Sequence, residues 1–166
     1  MRIRSERATD AGTIGSLITD AFRTAPHADG TEADIVAKLR ATGGLALSLV
    51  AEAGGEIVGH VAASDASVGG ETGWSVIGPL AVLEAYRRRG IGAGLMEEAI
   101  ARLDARPAQG IVLVGDPAYY GRFGFRAASD IVWPGIPPQY VLALPLASTA
   151  GSGTVVCHPA FCTGPA

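Results

Sequence analysis

The stretch PLAVLEAYRRRGIGAGLMEEAI, residues 79–100, decides how this chain is read. An apolar run that reads as the end of a strand closes at Val82. Arg87, Arg88 and Arg89 follow, then Gly90, Gly92 and Gly94. From Ile91 onward a helical stripe runs through Leu95, Met96, Ala99, Ile100 and Leu103, with Glu97, Glu98, Arg102 and Asp104 off it. Glycine opens a helix poorly unless something needs the bare backbone. A helix start carries four N–H groups without intrahelical partners and the positive end of the dipole, so it suits an anion. Glycines let a phosphate approach the main chain, and arginine suits phosphate oxygens. The segment therefore reads as a site for a pyrophosphate or a similar group.

Two well-known phosphate loops fit poorly. A Walker loop needs Gly-Lys-Ser/Thr, and here Ala93-Gly94-Leu95 follow Gly92. A dinucleotide loop needs G-x-G-x-x-G directly after its strand. Gly90 and Gly92 fit, but Leu95 stands third and residues 83–89 separate the strand from the loop. Asp116 falls about where a ribose-binding acid would, which keeps that reading as an alternative. A helix cap with an arginine surface is the plainer one.

Outward from this segment the chain alternates strand and helix signals. Residues 2–6 read as a first strand. Thr9 or Asp10 can cap a helix bearing Ile14, Leu17, Ile18, Ala21 and Phe22 on one face, and Thr31 can cap EADIVAKLRA, ended by Gly43 and Gly44. Residues 45–68 read as two strands around a Gly54-Gly55 turn, GGETG as a loop, and WSVIGPLAV as the next strand. Gly78-Pro79 is unfavourable inside a regular central strand and suggests a bulge. GIVLVGD reads as a buried strand and PAYYGRFGF as a tight turn of helix, which Asp116 can cap, leading to a Phe-containing strand. WPGIPPQ reads as a loop, YVLALPL as a strand, and GTVVCHPAF as a terminal strand or tail. The expected order is βααβββαβαββ, an α/β (α+β type) domain with a mixed, mostly antiparallel sheet flanked by helices.

With 166 residues, at roughly 100–200 per domain, one domain is expected: residues 1–147, with 148–166 as a C-terminal strand or tail packed on it. Apolar residues are 48% and charged ones 17%, which makes a core-forming chain. A net charge of -3 gives no footprint for nucleic acid. No apolar run approaches a membrane span, and residues 1–20 lack the apolar core of a signal peptide, so the cytoplasm is the expected location. CHPAFC, residues 157–162, invites a zinc reading through Cys157, His158 and Cys162, but a structural zinc site wants four ligands and no second cluster accompanies it, so no metal is expected. After Arg126 only Asp130 is charged. That segment supplies core strands and an uncharged tail, or else a self-association surface and with it a homodimer.

RRRGIG, Arg87 to Gly92, resembles the Arg/Gln-x-x-Gly-x-Gly/Ala signature of the GNAT-type N-acetyltransferase superfamily. Leu80-Ala81-Val82 resembles the strand end before that loop. Tyr119-Tyr120-Gly121-Arg122-Phe123-Gly124-Phe125 resembles the family's aromatic-Tyr pair and Gly-Phe that follow the next strand. GDPAYYGRFGF is particularly similar to a bacterial subfamily of small acetyltransferases.

The resemblance implies a sheet whose fourth and fifth strands splay apart, with the pantetheine arm of acetyl-CoA (coenzyme A) between them beside Leu80, Ala81 and Val82. It implies that the amides from Arg87 through Arg88, Arg89, Gly90, Ile91, Gly92 and Ala93 to Gly94 hold the pyrophosphate. It implies that the Val82 N–H meets the thioester carbonyl, and that Tyr120 is the general acid for a thiolate of pKa roughly 8.5. Tyr119 would pack against cofactor or core. The implied activity is transfer of an acetyl group to a small-molecule, peptide or protein amine by direct attack. The alternative is a non-catalytic acyl-CoA-binding or sensor module. No base is indicated: WSVIGPLAV has no acid, and His60, on an alternating strand with Val58 and Ala62, reads as a core or surface histidine. Asp65, Glu71 and Glu84 are further candidates, as is a water chain. The first helices, the late loop and the C-terminal strands would supply the acceptor site, here FRTAPHADG and WPGIPPQY, with His27, Asp29, Trp133 and Tyr140 as candidate lining. Asp29, Glu32 and Asp34 would favour a cationic amine, or form a solvated helix start.

Overall fold

The structure, a computed structural model, describes residues 1–26, 28–148 and 150–161. In chain order it contains β1 (Arg2–Ser5), α1 (Ala11–Phe22), α2 (Glu32–Ala41), β2 (Leu45–Ala53), β3 (Glu56–Val68), β4 (Glu71–Val82) and α3 (Ile91–Asp104). β5 (Gly110–Val114), α4 (Pro117–Tyr120), β6 (Arg126–Ala127), β7 (Ile131–Val132), β8 (Val141–Pro145) and β9 (Gly153–Val156) follow. The expected order holds, with the strand expected around Phe125 reduced to the short β6 and with the short β7 added.

The sheet runs β1-β2-β3-β4-β5-β8-β6. Every neighbouring pair along it is antiparallel except β4 and β5, which are parallel. β9 pairs antiparallel with Ser67 and Val68 of β3, and parallel with β7. This is the α/β mixed, mostly antiparallel sheet flanked by helices that the sequence predicts.

Side-chain period sets which face each helix covers. α1 and α2 lay Ile14, Leu17, Ile18, Ala21 and Val36 on Val50, Ala62 and Ala81. α3 lays Leu95, Met96, Ala99 and Leu103 on the opposite face, against Leu49, Val61, Ala63, Ile111 and Leu113. Leu95 is fully buried there, so Leu95→Ala belongs to the class of core truncations that cost roughly 2–5 kcal/mol. A third cluster joins Trp74, Val76, Val112 and Val141 to Val155 of β9. Arg4 ties β1 to its neighbours, pairing with Asp10 and Glu52 at 2.7 Å each.

Three local readings change. GGETG is not a loop: Gly69 and Gly70, with φ of 59° and 84°, close a two-residue turn, and β4 already begins at Glu71 opposite Val68. Its first residues read as a loop because they are polar, and Glu71 and Thr72 are exposed. Thr31 occupies the N-cap position of α2 but makes no capping bond with its side chain. Its hydroxyl instead donates to Asp29 Oδ1, which also accepts from the Thr31 N–H at 3.0 Å. α1 is preceded by a 3-10 turn over Ala8–Asp10, where Asp10 Oδ2 accepts from the Arg7 N–H at 2.7 Å.

Candidate active site

β4 and β5 pair only at Trp74–Gly110, Ser75–Ile111 and Val76–Val112. Beyond that point they part, β4 running on to Val82 and β5 to Val114. Opposite Ala62 of β3, the ladder skips from Ile77 to Leu80, so Gly78-Pro79 forms the bulge expected of it. Between the diverging strands lies a cavity of about 440 Å³, bordered by Ile77 to Leu80 on one side and by Val114 and Tyr120 on the other.

Ladder geometry fixes which groups on β4 face this gap. The Leu83 N–H donates to Val58 O of β3 at 3.0 Å. Main-chain groups alternate in direction along a strand, so Val82 presents its N–H and C=O to the opposite, open edge. The Val82 carbonyl there accepts from Arg87 Nε at 3.2 Å. The side chain of Ala81 points the other way, buried in the α1–α2 cluster, while Leu80 lines the gap.

After Val82 the chain makes a 3-10 turn over Glu84–Tyr86 and enters α3 through Gly90. Gly90 has φ of 79°, a left-handed conformation that glycine adopts without the penalty a side chain incurs. Arg88 shares that hand, with φ of 62°. The first helical bond runs from the Gly94 N–H to Gly90 O at 2.9 Å. The N–H groups of Arg88 to Ala93 have no hydrogen-bond partner among the described residues. A second cavity, about 390 Å³, opens over them, lined also by Val82, Tyr119 and Arg122.

Gly92 is where bare backbone counts. A Cβ there would stand 3.0 Å from Tyr119 Oη and 3.7 Å from Val82 Cγ2, inside the cavity. Gly94 lies outside it: a Cβ there would meet Ile3 and Met1 at 3.2 Å, so this glycine serves packing against β1. The arginines also divide. Arg87 donates from Nη2 to Ala21 O at 2.6 Å as well as to Val82 O, clamping the end of α1 to the end of β4. Arg87 and Arg88 both border the cavity, and Arg89 stacks over Tyr86 at 5.3 Å. A third arginine lining the cavity, Arg122, was not singled out from the sequence. It stacks over Tyr119 at 4.5 Å and donates to its carbonyl at 3.0 Å, and the only sequence signal was a basic residue within the aromatic motif.

The two tyrosines separate by cavity, Tyr119 facing the glycine turn and Tyr120 the strand gap. Asp116 positions both by capping α4, Oδ1 accepting from the Ala118 N–H at 2.9 Å. The Tyr120 ring lies against Gly115, where a Cβ would collide with it, and packs edge-on to Tyr119 and Phe125 at 4.9 and 6.3 Å. Desolvation, with a smaller contribution from Tyr119, pushes the Tyr120 phenol up to about 12, so it is protonated at neutral pH.

The base candidates do not gather here. His60 is fully buried, with Nε2 2.8 Å from Ser48 Oγ, and burial pushes its pKa down to about 3. It shares a face with Ala62, its pairing partners Val50 and Ala81 lying in the α1–α2 cluster. Val58 does not share it, because a bulge between Ile57 and Gly59 turns Val58 toward α3. Asp65 pairs with Arg106 at 2.9 Å, and Glu71 and Glu84 border neither cavity. Asp29, Glu32 and Trp133 do line the strand gap; Tyr140 does not, and His27 lies outside the described residues. Phe22, Ile35, Ile136 and Phe161 complete that end, brought together by tertiary contacts that no local pattern announces. At the C-terminus, His158 Nε2 lies 3.0 Å from Thr42 Oγ1 and Nδ1 accepts from the Ala160 N–H. Cys162 lies outside the described residues, among which no group of three His, Cys, Asp or Glu side chains is arranged to hold a metal.

A model of the acetyltransferase (GNAT) family matches residues 14–125. The N-acetyltransferase YhbS of Escherichia coli is 38% identical over 141 residues, 81% of each chain. Its crystal structure with CoA superposes with a TM-score of 0.87 at 35% identity, over 96% of this chain and 91% of that one. A GNAT acetyltransferase of Brucella melitensis solved with acetyl-CoA has a TM-score of 0.86 at 40% identity, over 96% and 97%. These likenesses run through the glycine turn and the parted strands, and they displace the dinucleotide reading: the chain belongs to the GNAT acetyltransferase family.

Proposed function

We propose that this chain transfers an acetyl group from acetyl-CoA to a primary amine by direct attack in a ternary complex. The observation that carries the reading is the adjacency of two features: strands parted from Val76 onward, and unpartnered amides from Arg88 to Ala93, with a Cβ on Gly92 falling 4.0 Å from Leu80 Cδ2 of the gap. The two relatives solved with acetyl-CoA and CoA support that ligand.

The pyrophosphate lies on the amides of the glycine turn, with Arg88 and Arg122 adding charge. Pantetheine runs along the open edge of β4. The thioester carbonyl meets the Val82 N–H, which is fixed in place before the reaction and stabilises the oxyanion as it forms. A neutral amine attacks the carbonyl carbon, the C–S bond breaks, and coenzyme A leaves as its thiolate. The amine's proton passes to water in the cavity. Holding amine and thioester in line supplies much of the rate, and no covalent intermediate on the chain is needed.

Tyr120 faces the departing sulphur as a protonated phenol. From a pKa of about 12 to a thiolate of roughly 8.5, complete proton transfer is uphill by about 5 kcal/mol. The phenol therefore acts chiefly by donating a hydrogen bond to the developing thiolate, which takes its proton from solvent after release. A thiol-release assay with acetyl-CoA and a panel of amines tests the proposal. Amine-dependent release is expected; acetyl-CoA binding with no release above hydrolysis for any amine would leave a binding module instead.

A further inference from the structure

The end of the strand gap away from Val82 has its own chemistry. Its charged groups are both acids, Asp29 and Glu32, and no Lys, Arg or His lines it among the described residues. Around them stand Phe22, Trp133 and Phe161, with Ile35 and Ile136 between. Trp133 and Phe161 already meet edge-to-face at 6.5 Å, and Phe161 is held by its N–H to His158 O at 3.1 Å, with His158 anchored on Thr42. The aromatic wall is thus preformed.

We infer that the acceptor is a primary amine bearing a second positive charge on an apolar, ring-sized body. The body stands among Phe22, Trp133 and Phe161, the second charge faces Glu32 and Asp29, and the free amine reaches the thioester beside Val82. The inference rests on the proposed function above and names its substrate class.

Two considerations separate this from a plain amine. The attacking nitrogen must be uncharged, so it cannot retain the positive charge that two carboxylates attract; a second nitrogen can. Asp29 is also a poor candidate for removing the proton. Its Oδ1 accepts from both the N–H and the hydroxyl of Thr31, and these bonds hold its carboxyl below the usual range, so it stays ionised. A fixed anion beside an aromatic wall suits a resident cation, which the ring faces of Trp133 and Phe161 also favour. An acceptor carrying a carboxylate would bring a third negative charge to the same end.

The test uses three ring-bearing amines of similar size on the wild-type chain, after calorimetry has established acetyl-CoA binding: 1,4-bis(aminomethyl)benzene, 4-methylbenzylamine and 4-(aminomethyl)benzoate. The expected kcat/KM is about tenfold higher for the diamine than for the monoamine, and lowest for the benzoate. Asp29→Asn with Glu32→Gln should raise KM for the diamine about tenfold with a smaller fall in kcat. Equal or better use of the monoamine or benzoate by the wild-type chain overturns the inference, as does a diamine preference that survives both substitutions in a folded variant. Absence of acetyl-CoA binding, or of transfer to any amine, overturns the proposed function itself, and this inference with it.

Discussion

Gly92→Val puts an obstruction where the account needs bare backbone. The added Cβ would stand 3.0 Å from Tyr119 Oη, 3.7 Å from Val82 Cγ2 and 4.0 Å from Leu80 Cδ2, in the cavity above the free amides. Charge-assisted N–H to oxygen bonds run at about 2.7–2.9 Å, and the methyls of valine keep a phosphate oxygen from that approach. Losing one such bond costs roughly 1.5–3 kcal/mol, a rise of about 10–150-fold in Kd. The fold should tolerate the change. Gly92 is not among the residues with positive φ, it lies in the first turn of α3, and valine is the better helix former by a few tenths of a kcal/mol. Isothermal titration with acetyl-CoA reads the affinity and thermal unfolding reads the fold. Gly121→Ala is the control, because a Cβ there meets nothing within 4 Å, and it should bind acetyl-CoA as wild type does. Wild-type affinity in a Gly92→Val chain with an unchanged melting temperature would refute a phosphate at that turn.

Other expectations follow from the same geometry. Tyr120→Phe should lower kcat roughly 10–100-fold with little change in acetyl-CoA affinity, and an unaltered kcat in the thiol-release assay would remove the phenol from the reaction. His60, pushed down to about 3 when folded and ordinarily near 6.5, refuses a proton that the unfolded chain accepts. Its contribution is therefore complete above about pH 6.5 and is lost as pH falls. The carboxyls of Asp10 and Glu52, also held low, titrate below their ordinary 3.8 and 4.5, so the loss between pH 6.5 and 5 belongs to His60 and approaches roughly 2 kcal/mol. Denaturant unfolding across that window should show the slope in wild type and a flatter line in His60→Gln; equal slopes would contradict a neutral buried imidazole. Arg87→Ala should cost about 1–2 kcal/mol of stability by releasing the carbonyls of Val82 and Ala21, measured by urea unfolding, and no change would mean that the clamp is idle.

The parts of the site legible in sequence are those where function constrains the backbone. A turn that must offer bare amides shows as Gly90 and Gly92, a strand that must bulge shows as Gly78-Pro79, and a capped short helix shows as Asp116 before its proline. Side-chain roles set by distant partners were not legible. Arg87 reads as a phosphate ligand, yet its guanidinium reaches back to Ala21 in α1. Gly94 reads as part of the loop because its spacing matches, yet half a helical turn aims it at β1. The face of His60 follows strict alternation to Ala62 but fails for Val58, since one bulge residue inverts the pattern. The proposed acceptor end draws on α1, α2, the loop after β7 and Phe161; the stretches FRTAPHADG and WPGIPPQY were anticipated, with Asp29, Glu32 and Trp133 by name, but not the contribution of Ile35 or Phe161.

The most direct test is a crystal structure of the chain with acetyl-CoA bound. The account predicts pyrophosphate oxygens within hydrogen-bond distance of the amides of Gly90 to Ala93, pantetheine between β4 and β5, and the thioester oxygen on the Val82 N–H. A ligand seated elsewhere, or strands paired from Val76 through to Val82, would contradict it.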